Sequence, residues 1–249
     1  MLQLKVTDFF GFPNIISSEE RNIKVIYDAT KCGLNEQIWA PNFMLPTIDM
    51  TLRHVTETGW FGDIDLGEMF LNFPLDSDLR AYVGIDATEL RDVLRALDNL
   101  PEELLNTKGR IFLRWVRCLM GLRCSPFNAV RAMSWAADVI KGDRFDEFNV
   151  FRWDNFCLNL PGSKDYNPRF PVGYKWNQTT KSIAADFETY VDDIRSSDGT
   201  EEGCVIATRR IASVCNHLGI QDAARKRRFP SQRPGVWCGA KTSADNVGV

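Results

Sequence analysis

Phe187-Glu188-Thr189-Tyr190-Val191-Asp192-Asp193-Ile194 sets two adjacent carboxylates between β-branched and aromatic residues, just ahead of Ser196-Ser197-Asp198-Gly199. Residues of the first kind favour strands, and the polar cluster that follows reads as a turn. The pair is therefore expected at the tip of a β-hairpin. Neighbouring strand residues face opposite sides of a sheet, yet a tight turn can bring both acids towards one bound cation. An Asp-Asp pair at a turn is more often a solvated loop, so its meaning depends on what accompanies it elsewhere.

The nearest companion lies far upstream. Gly59-Trp60-Phe61-Gly62-Asp63-Ile64-Asp65-Leu66 has a strand pattern with acids at alternate positions, so Asp63 and Asp65 share a face. Burying an unpaired carboxylate is costly. The face therefore needs a cation or a basic partner, unless this is an edge strand with its polar side in water.

The rest of the chain supplies a mixed set of elements. Lys24–Asp28 reads as a short strand ended by a turn at Cys32-Gly33-Leu34-Asn35, and Ile48 to Val55 as a short helix. Gly67–Leu75 is a compact aromatic-rich turn. A strand at Ala81–Ile85 precedes a helix capped by Thr88 and stopped near Pro101, and Ile111–Arg117 is a further strand. Met120-Gly121-Leu122-Arg123-Cys124-Ser125-Pro126 is a loop opening a helix to about Ile140, which carries Phe127, Val130, Trp135 and Val139. Ser125 serves as its cap and Pro126 suits its first turn. Residues 141–181 hold three prolines among Trp153, Tyr166, Tyr174 and Trp176. So many aromatics argue for a folded insertion with a hairpin rather than a disordered linker. A helix from Thr200 to Leu218 has Glu201 and Glu202 in its first turn and Gly219 as its stop. A turn and short strand follow at Pro234–Gly239.

Bulk composition narrows the function classes. The 249 residues are 44% hydrophobic and 25% charged, enough for a substantial core. No run has the apolar length of a membrane span, and the first residues are too polar for a secretory signal. Seven cysteines without a C-x-x-C pair argue against a structural zinc site or disulfide framework, and for a reducing, intracellular setting, cytoplasm or nucleus. Two histidines make histidine-rich mechanisms improbable, and the phosphate-cradling and nucleophile-elbow glycine motifs are absent from the sequence. Net charge is −3, but Arg209 to Arg233 is a basic stripe that could meet phosphates. Three aspartates on two strands suit two Mg²⁺ ions, which stabilise the attacking and leaving oxygens of an in-line phosphoryl displacement.

At this point the sequence resembles the reverse transcriptases of retroelements, over about Lys24 to Gly239. Asp65-Leu66-Gly67-Glu68-Met69-Phe70-Leu71-Asn72-Phe73-Pro74-Leu75 is similar to the family's first catalytic segment. Its register makes Asp65, not Asp63, the metal-binding aspartate and Phe70 the aromatic that gates the nucleotide sugar, with Leu66 lending a carbonyl to a metal. Met120-Gly121 through Ser125-Pro126 resembles the loop that packs on the template–nucleotide pair. Tyr190-Val191-Asp192-Asp193 is similar to the family's Y-x-D-D box. Leu218-Gly219-Ile220 followed by Lys226 resembles the segment whose lysine contacts nucleotide phosphates, and Trp237-Cys238-Gly239 the hairpin that grips the primer end. More loosely, Lys24 falls on the fingers residue that reaches the triphosphate. Met120 and Cys32-Gly33 depart from the family pattern, and the 141–181 insertion is longer than is typical there.

The resemblance implies an α+β right-hand polymerase fold with an antiparallel palm sheet, helices on one face and fingers. The whole of 1–249 is expected as a single domain, with 1–57 and about 77–117 as fingers and 58–76 and 118–239 as palm. It further implies an RNA-directed DNA polymerase. Asp65, Asp192 and Asp193 would hold two Mg²⁺ (or Mn²⁺) ions, and dNTPs and a primed RNA or DNA template would be the partners, with no membrane. The oligomeric state is left open. Since the sequence ends ten residues past Gly239, a thumb is expected to be absent or truncated. The alternative is an inactive retroelement remnant that keeps the fold and binds nucleic acid weakly.

Overall fold

The computed structural model describes residues 27–45, 47, 59–95, 102–233 and 235–242. Lys24 and the expected helix at Ile48–Val55 lie outside them. The strands in chain order are β1 (Trp60–Asp65), β2 (Gly84–Asp86), β3 (Phe112–Arg114), β4 (Asn155–Leu158), β5 (Gly173–Asn177), β6 (Ser182–Ile183), β7 (Asp186–Tyr190), β8 (Asp193–Asp198), β9 (Arg228–Ser231), β10 (Gly235–Trp237) and β11 (Ala240–Thr242). The α-helices are α1 (Leu34–Gln37), α2 (Arg91–Arg95), α3 (Glu102–Asn106), α4 (Ser125–Lys141) and α5 (Glu201–His217). Among the described residues no helix is long and apolar enough to cross a membrane. The chain divides into two compact units. One takes the described residues up to Pro41 and those of Phe70–Asn128; the other takes the described residues of Asn42–Met69 and those from Ala129 onward.

The second unit is organised on an antiparallel sheet of order β7-β8-β1-β9. Side chains alternate across it. Gly62 and Ile64 of β1 and Ile194 and Ser196 of β8 face α5, which packs over β1, β8 and β9. The helix replies with Cys204, Ala207, Thr208, Ile211 and Cys215, all buried. Small residues allow a close approach: a Cβ on Gly62 would meet the Thr208 hydroxyl at 2.5 Å. Ser196 Oγ donates to the Gly62 carbonyl at 3.1 Å and shares a 2.7 Å hydrogen bond with Thr208 Oγ1, so these buried hydroxyls are satisfied. Thr200 caps α5 by accepting from the Gly203 N–H at 3.0 Å, and Gly219 (φ 74°) follows its C-terminus.

The serines expected to form a turn at 196–199 instead belong to β8. The reversal comes earlier, at Val191-Asp192, with Tyr190 opposite Asp193. Serine is a turn residue only when nothing else takes its hydroxyl, and here β1 and α5 do. The 141–181 insertion is folded: β4 pairs with β5 inside it, and β6, just past it, completes a sheet of order β4-β5-β6.

The first unit holds the β2–β3 pair and a core of Tyr27, Ala29, Ile38, Leu75, Val83, Cys118, Leu119, Leu122 and Cys124. Expected strands are shorter here. Ala81–Ile85 becomes a 3₁₀ turn and then β2, and only Phe112–Arg114 of Ile111–Arg117 is strand. Thr88 is not the cap; Asp86 Oδ1 accepts from the Thr88 N–H at 3.0 Å, and Thr88 Oγ1 accepts from Ile111 N–H instead. Ser125 is not the cap of α4 either. It is fully buried, and its Oγ accepts from the Leu119 N–H at 3.2 Å, closing the loop before the helix. The buried apolar positions of α4 are Ala129, Met133, Ala136 and Ile140, whereas Trp135 and Val139 are exposed.

Asn35 ties the N-terminal part of this unit to that loop. Its side chain donates to the Gly121 carbonyl at 2.9 Å and accepts from the Arg123 N–H at 2.8 Å. Asn35→Ala is expected to lower stability by about 1–2 kcal/mol through the loss of those two bonds and of a third, donated to Thr30 Oγ1 at 2.9 Å, read as a shift of the urea midpoint.

Candidate active site

Register determines the site. Asp65 lies opposite Asp193, and two residues back Asp63 lies opposite Arg195, all on the sheet face turned away from α5. Asp192 occupies the turn, and its carbonyl accepts from the Leu66 N–H at 2.8 Å, which pins the hairpin tip to the end of β1. Leu66 itself is buried and bridged to Asp222, and Gly67 N–H donates to the Gln221 carbonyl at 2.9 Å. The two-residue turn is strained: Val191 has φ 54°, where a β-branched residue clashes with its own backbone. Val191→Gly should relieve that strain and raise the urea midpoint, by about 1–2 kcal/mol in stability, while loosening the placement of Asp192.

The two acids of β1 each have a cation. Arg195, almost fully buried, forks onto Asp63 with Nε–Oδ1 at 2.6 Å and Nη2–Oδ2 at 2.9 Å, and Arg228 Nη1 reaches the same carboxylate at 3.4 Å. Lys226 Nζ straddles Asp65 at 2.9 and 3.0 Å. The need for basic partners on this face is thus met from β8 and from the basic stripe. Most of that stripe is engaged within the fold: Arg227 with Asp222, and Arg210 Nε with the Ile140 carbonyl at 3.2 Å.

Among the described residues no cation pairs with Asp193. Burial, then the charges of Asp192, Asp65 and Asp63, push its carboxyl from 3.8 up to about 6, with Lys226 pulling it back. This is a cluster of hard oxygen donors with more negative charge than its neighbours neutralise, the donor chemistry suited to Mg²⁺. Yet among the described residues no three His, Cys, Asp or Glu side chains are gathered so as to hold a metal ion. The ammonium on Asp65 takes the part of a counter-ion.

The hairpin β10–β11 lies on this same face. Its turn is Cys238-Gly239, with φ 50° and 79°, and Trp237 stacks on the Arg195 guanidinium at 4.9 Å. Burial first, and then Asp193, raise the Cys238 thiol to about 12, so it stays protonated. Tyr190, Leu66, Lys226, Trp237, Cys238 and Gly239 are therefore gathered with Asp65, Asp192 and Asp193 in one unit.

Phe70, Met120, Gly121, Ser125 and Pro126 belong to the other unit. Phe70 sits in the 3₁₀ turn Met69–Asn72, half-buried against that unit's core. The Met120 carbonyl accepts from the Tyr27 N–H at 3.0 Å, Gly121 turns with φ 96°, and Pro126 opens α4. The sequence reading missed Arg195 and Arg228. The signal was present for the first: D-x-D in one strand and D-x-R in its antiparallel partner must set Asp63 against Arg195 once Asp65 faces Asp193.

No family model and no curated protein matches the sequence. Among solved structures, the fold is similar to that of a foamy viral protease–reverse transcriptase in complex with double-stranded DNA, at a TM-score of 0.55 and 12% identity. The match covers 92% of this chain and 28% of that one, so the chain spans less than a third of the protein it resembles in fold.

Proposed function

We propose that this chain is the fingers and palm of an RNA-directed DNA polymerase, adding dNTPs to a primer on an RNA or DNA template. One observation carries the reading: Asp65 and Asp193 face each other across β1 and β8 with Asp192 in the adjoining turn, an acid cluster that leaves Asp193 raised to about 6. Asp65, Asp192 and Asp193 are the residues that would hold two Mg²⁺ ions. When bound, such a pair activates the primer 3′-hydroxyl and neutralises charge on the transferred α-phosphate.

The chain's own residues do the rest. The Leu66 N–H to Asp192 bond and the Val191 turn hold the hairpin tip against β1. Arg195, forked on Asp63, keeps that neighbouring acid neutralised beside Asp65, and stacking by Trp237 sets the Cys238-Gly239 turn next to Asp193, where a primer end would lie. Lys226 is freed to meet nucleotide phosphates once its carboxylate is taken. Phe70 is the candidate gate against a 2′-hydroxyl.

Asp192→Asn is expected to abolish Mg²⁺-dependent extension of a DNA primer on an RNA template, with a circular-dichroism melt no lower than that of the unsubstituted chain; full extension by this variant would overturn the proposal. A second reading has its own support. The Lys226–Asp65 pair gives one of the three carboxylates a cation without a metal, as would suit a chain that keeps the fold and binds nucleic acid weakly. Extension that is absent from the unsubstituted chain, together with salt-sensitive binding of primed template, would favour it.

A further inference from the structure

Where α4 ends and β7 begins, a cavity of about 320 Å³ opens in the second unit, at the opposite end of β7 from Tyr190. Four strand rises separate the two ends, roughly 14 Å, so this space is apart from the carboxylate cluster. Its charge is built from Lys141, Arg144 and Lys175 against Asp143 and Asp186, with Phe151 and Trp153 as apolar wall. Asp186 is shared by two ammonium groups, Lys175 at 2.5 Å and Lys141 at 3.9 Å. Asp143 is exposed, and its Oδ1 already accepts from the Phe145 N–H at 2.9 Å.

Arg144 is the unusual member. Its guanidinium lies 3.9 Å from the Trp153 ring centroid and 4.3 Å from that of Phe145, and no carboxylate among the described residues pairs with it. Two aromatic contacts fix the plane of the fork and leave its N–H edge without an anion. An arginine held this way loses little rotamer freedom on binding, and its geometry matches an oxyanion bidentately. The cavity is at the small end of ligand sites, yet larger than a bare anion needs.

We propose that this cavity binds a phosphomonoester, with the phosphate on Arg144 and the surplus ammonium of the Lys141–Lys175 pair, and the organic part against Phe151 and Trp153. Apart from Asp186 of β7, the site's lining lies in the 141–181 insertion, and it does not depend on the polymerase reading. Two sources share the chemistry: a free phosphate or mononucleotide, and the 5′-phosphate end of a polynucleotide.

The test follows the indole N–H resonance of Trp153 in the ¹⁵N-labelled full chain, identified through Trp153→Phe, with EDTA present to keep divalent cations out. Inorganic phosphate, a nucleoside 5′-monophosphate, and one oligonucleotide with and without its 5′-phosphate are titrated in turn. Saturable shifts with the phosphate-bearing probes are expected, weakened about tenfold or more in Arg144→Gln and less in Arg144→Lys, which keeps the charge on the rings. Saturation by phosphate and the mononucleotide assigns a small ligand; saturation by the 5′-phosphorylated oligonucleotide alone assigns a polynucleotide end. The proposal is overturned if no probe saturates, if Arg144→Gln binds as tightly as the unsubstituted chain, or if the 5′-hydroxyl oligonucleotide binds as well as its phosphorylated twin. Should Arg144→Gln fail to fold, the unsubstituted chain and Arg144→Lys decide the matter by the same criteria.

Discussion

Asp193→Asn is expected to make the protein more stable and, if it is the proposed polymerase, to silence it. In the folded chain the Asp193 carboxyl is raised from 3.8 to about 6, first by burial and then by Asp192, Asp65 and Asp63. A raised acid binds its proton more tightly folded than unfolded, so stability falls as pH rises from about 4 through about 6 and stays lowered above that. The charge on Asp193 is therefore a penalty at neutral pH. Allowing for its partial exposure to solvent screening, the penalty is about 1–2 kcal/mol. Asparagine keeps the shape without the charge. In EDTA, its urea midpoint at pH 7.5 should exceed that of the unsubstituted chain, and the difference should vanish near pH 4. Primer extension should drop by about 10²–10³-fold or more, because the group that would help hold the cation is gone. A variant less stable at pH 7.5 would refute the electrostatic account of the cluster. One that is more stable yet fully active would refute the catalytic role and leave the electrostatics standing.

The same crowding of acids is also why the placement of these residues was readable from sequence. Acids at alternate positions of one strand and a doublet in a hairpin conflict with burial, and a fold keeps such conflicts where they serve a purpose. The fold likeness to a reverse transcriptase and the α5 boundaries were legible for similar reasons, since Thr200, Glu201, Glu202 and Gly219 all act locally. What failed depended on distant partners. Ser196 and Ser197 look like a turn until β1 and α5 take the Ser196 hydroxyl, while Val191 looks like a strand until a positive φ puts it in the turn. On α4 the large apolar residues drew the eye, but Trp135 stays outside, and it is Ala129 and Ala136 whose small size suits the buried face. Lys226 shows the limit most plainly. Its distance from Asp65 along the chain hides an ion pair that only the folded register creates.

The largest stability effect is expected at Arg195, two residues beyond the acidic doublet. Arg195→Met removes a nearly fully buried guanidinium that satisfies both oxygens of Asp63 and stacks on Trp237 and Phe61. Asp63 then keeps one longer contact, to Arg228 at 3.4 Å. Leaving a fully buried carboxylate without its partner costs about 3–5 kcal/mol; Asp63 is half-buried and keeps Arg228, so a loss of about 2–3 kcal/mol is expected, still a large share of the total stability of a domain. Removing both charges should cost far less, because the pair's mutual attraction mainly offsets its own desolvation. Urea unfolding of Arg195→Met, Asp63→Asn and the double variant tests this directly. The double variant should recover at least half of the loss seen in Arg195→Met, a coupling characteristic of residues in direct contact. If the two losses simply add, Asp63 and Arg195 are independent, and the stacked arginine matters through Trp237 alone. Arg195→Lys separates the remaining possibilities: it retains the charge but not the fork, so a loss near that of methionine assigns the stability to the bidentate geometry rather than to charge.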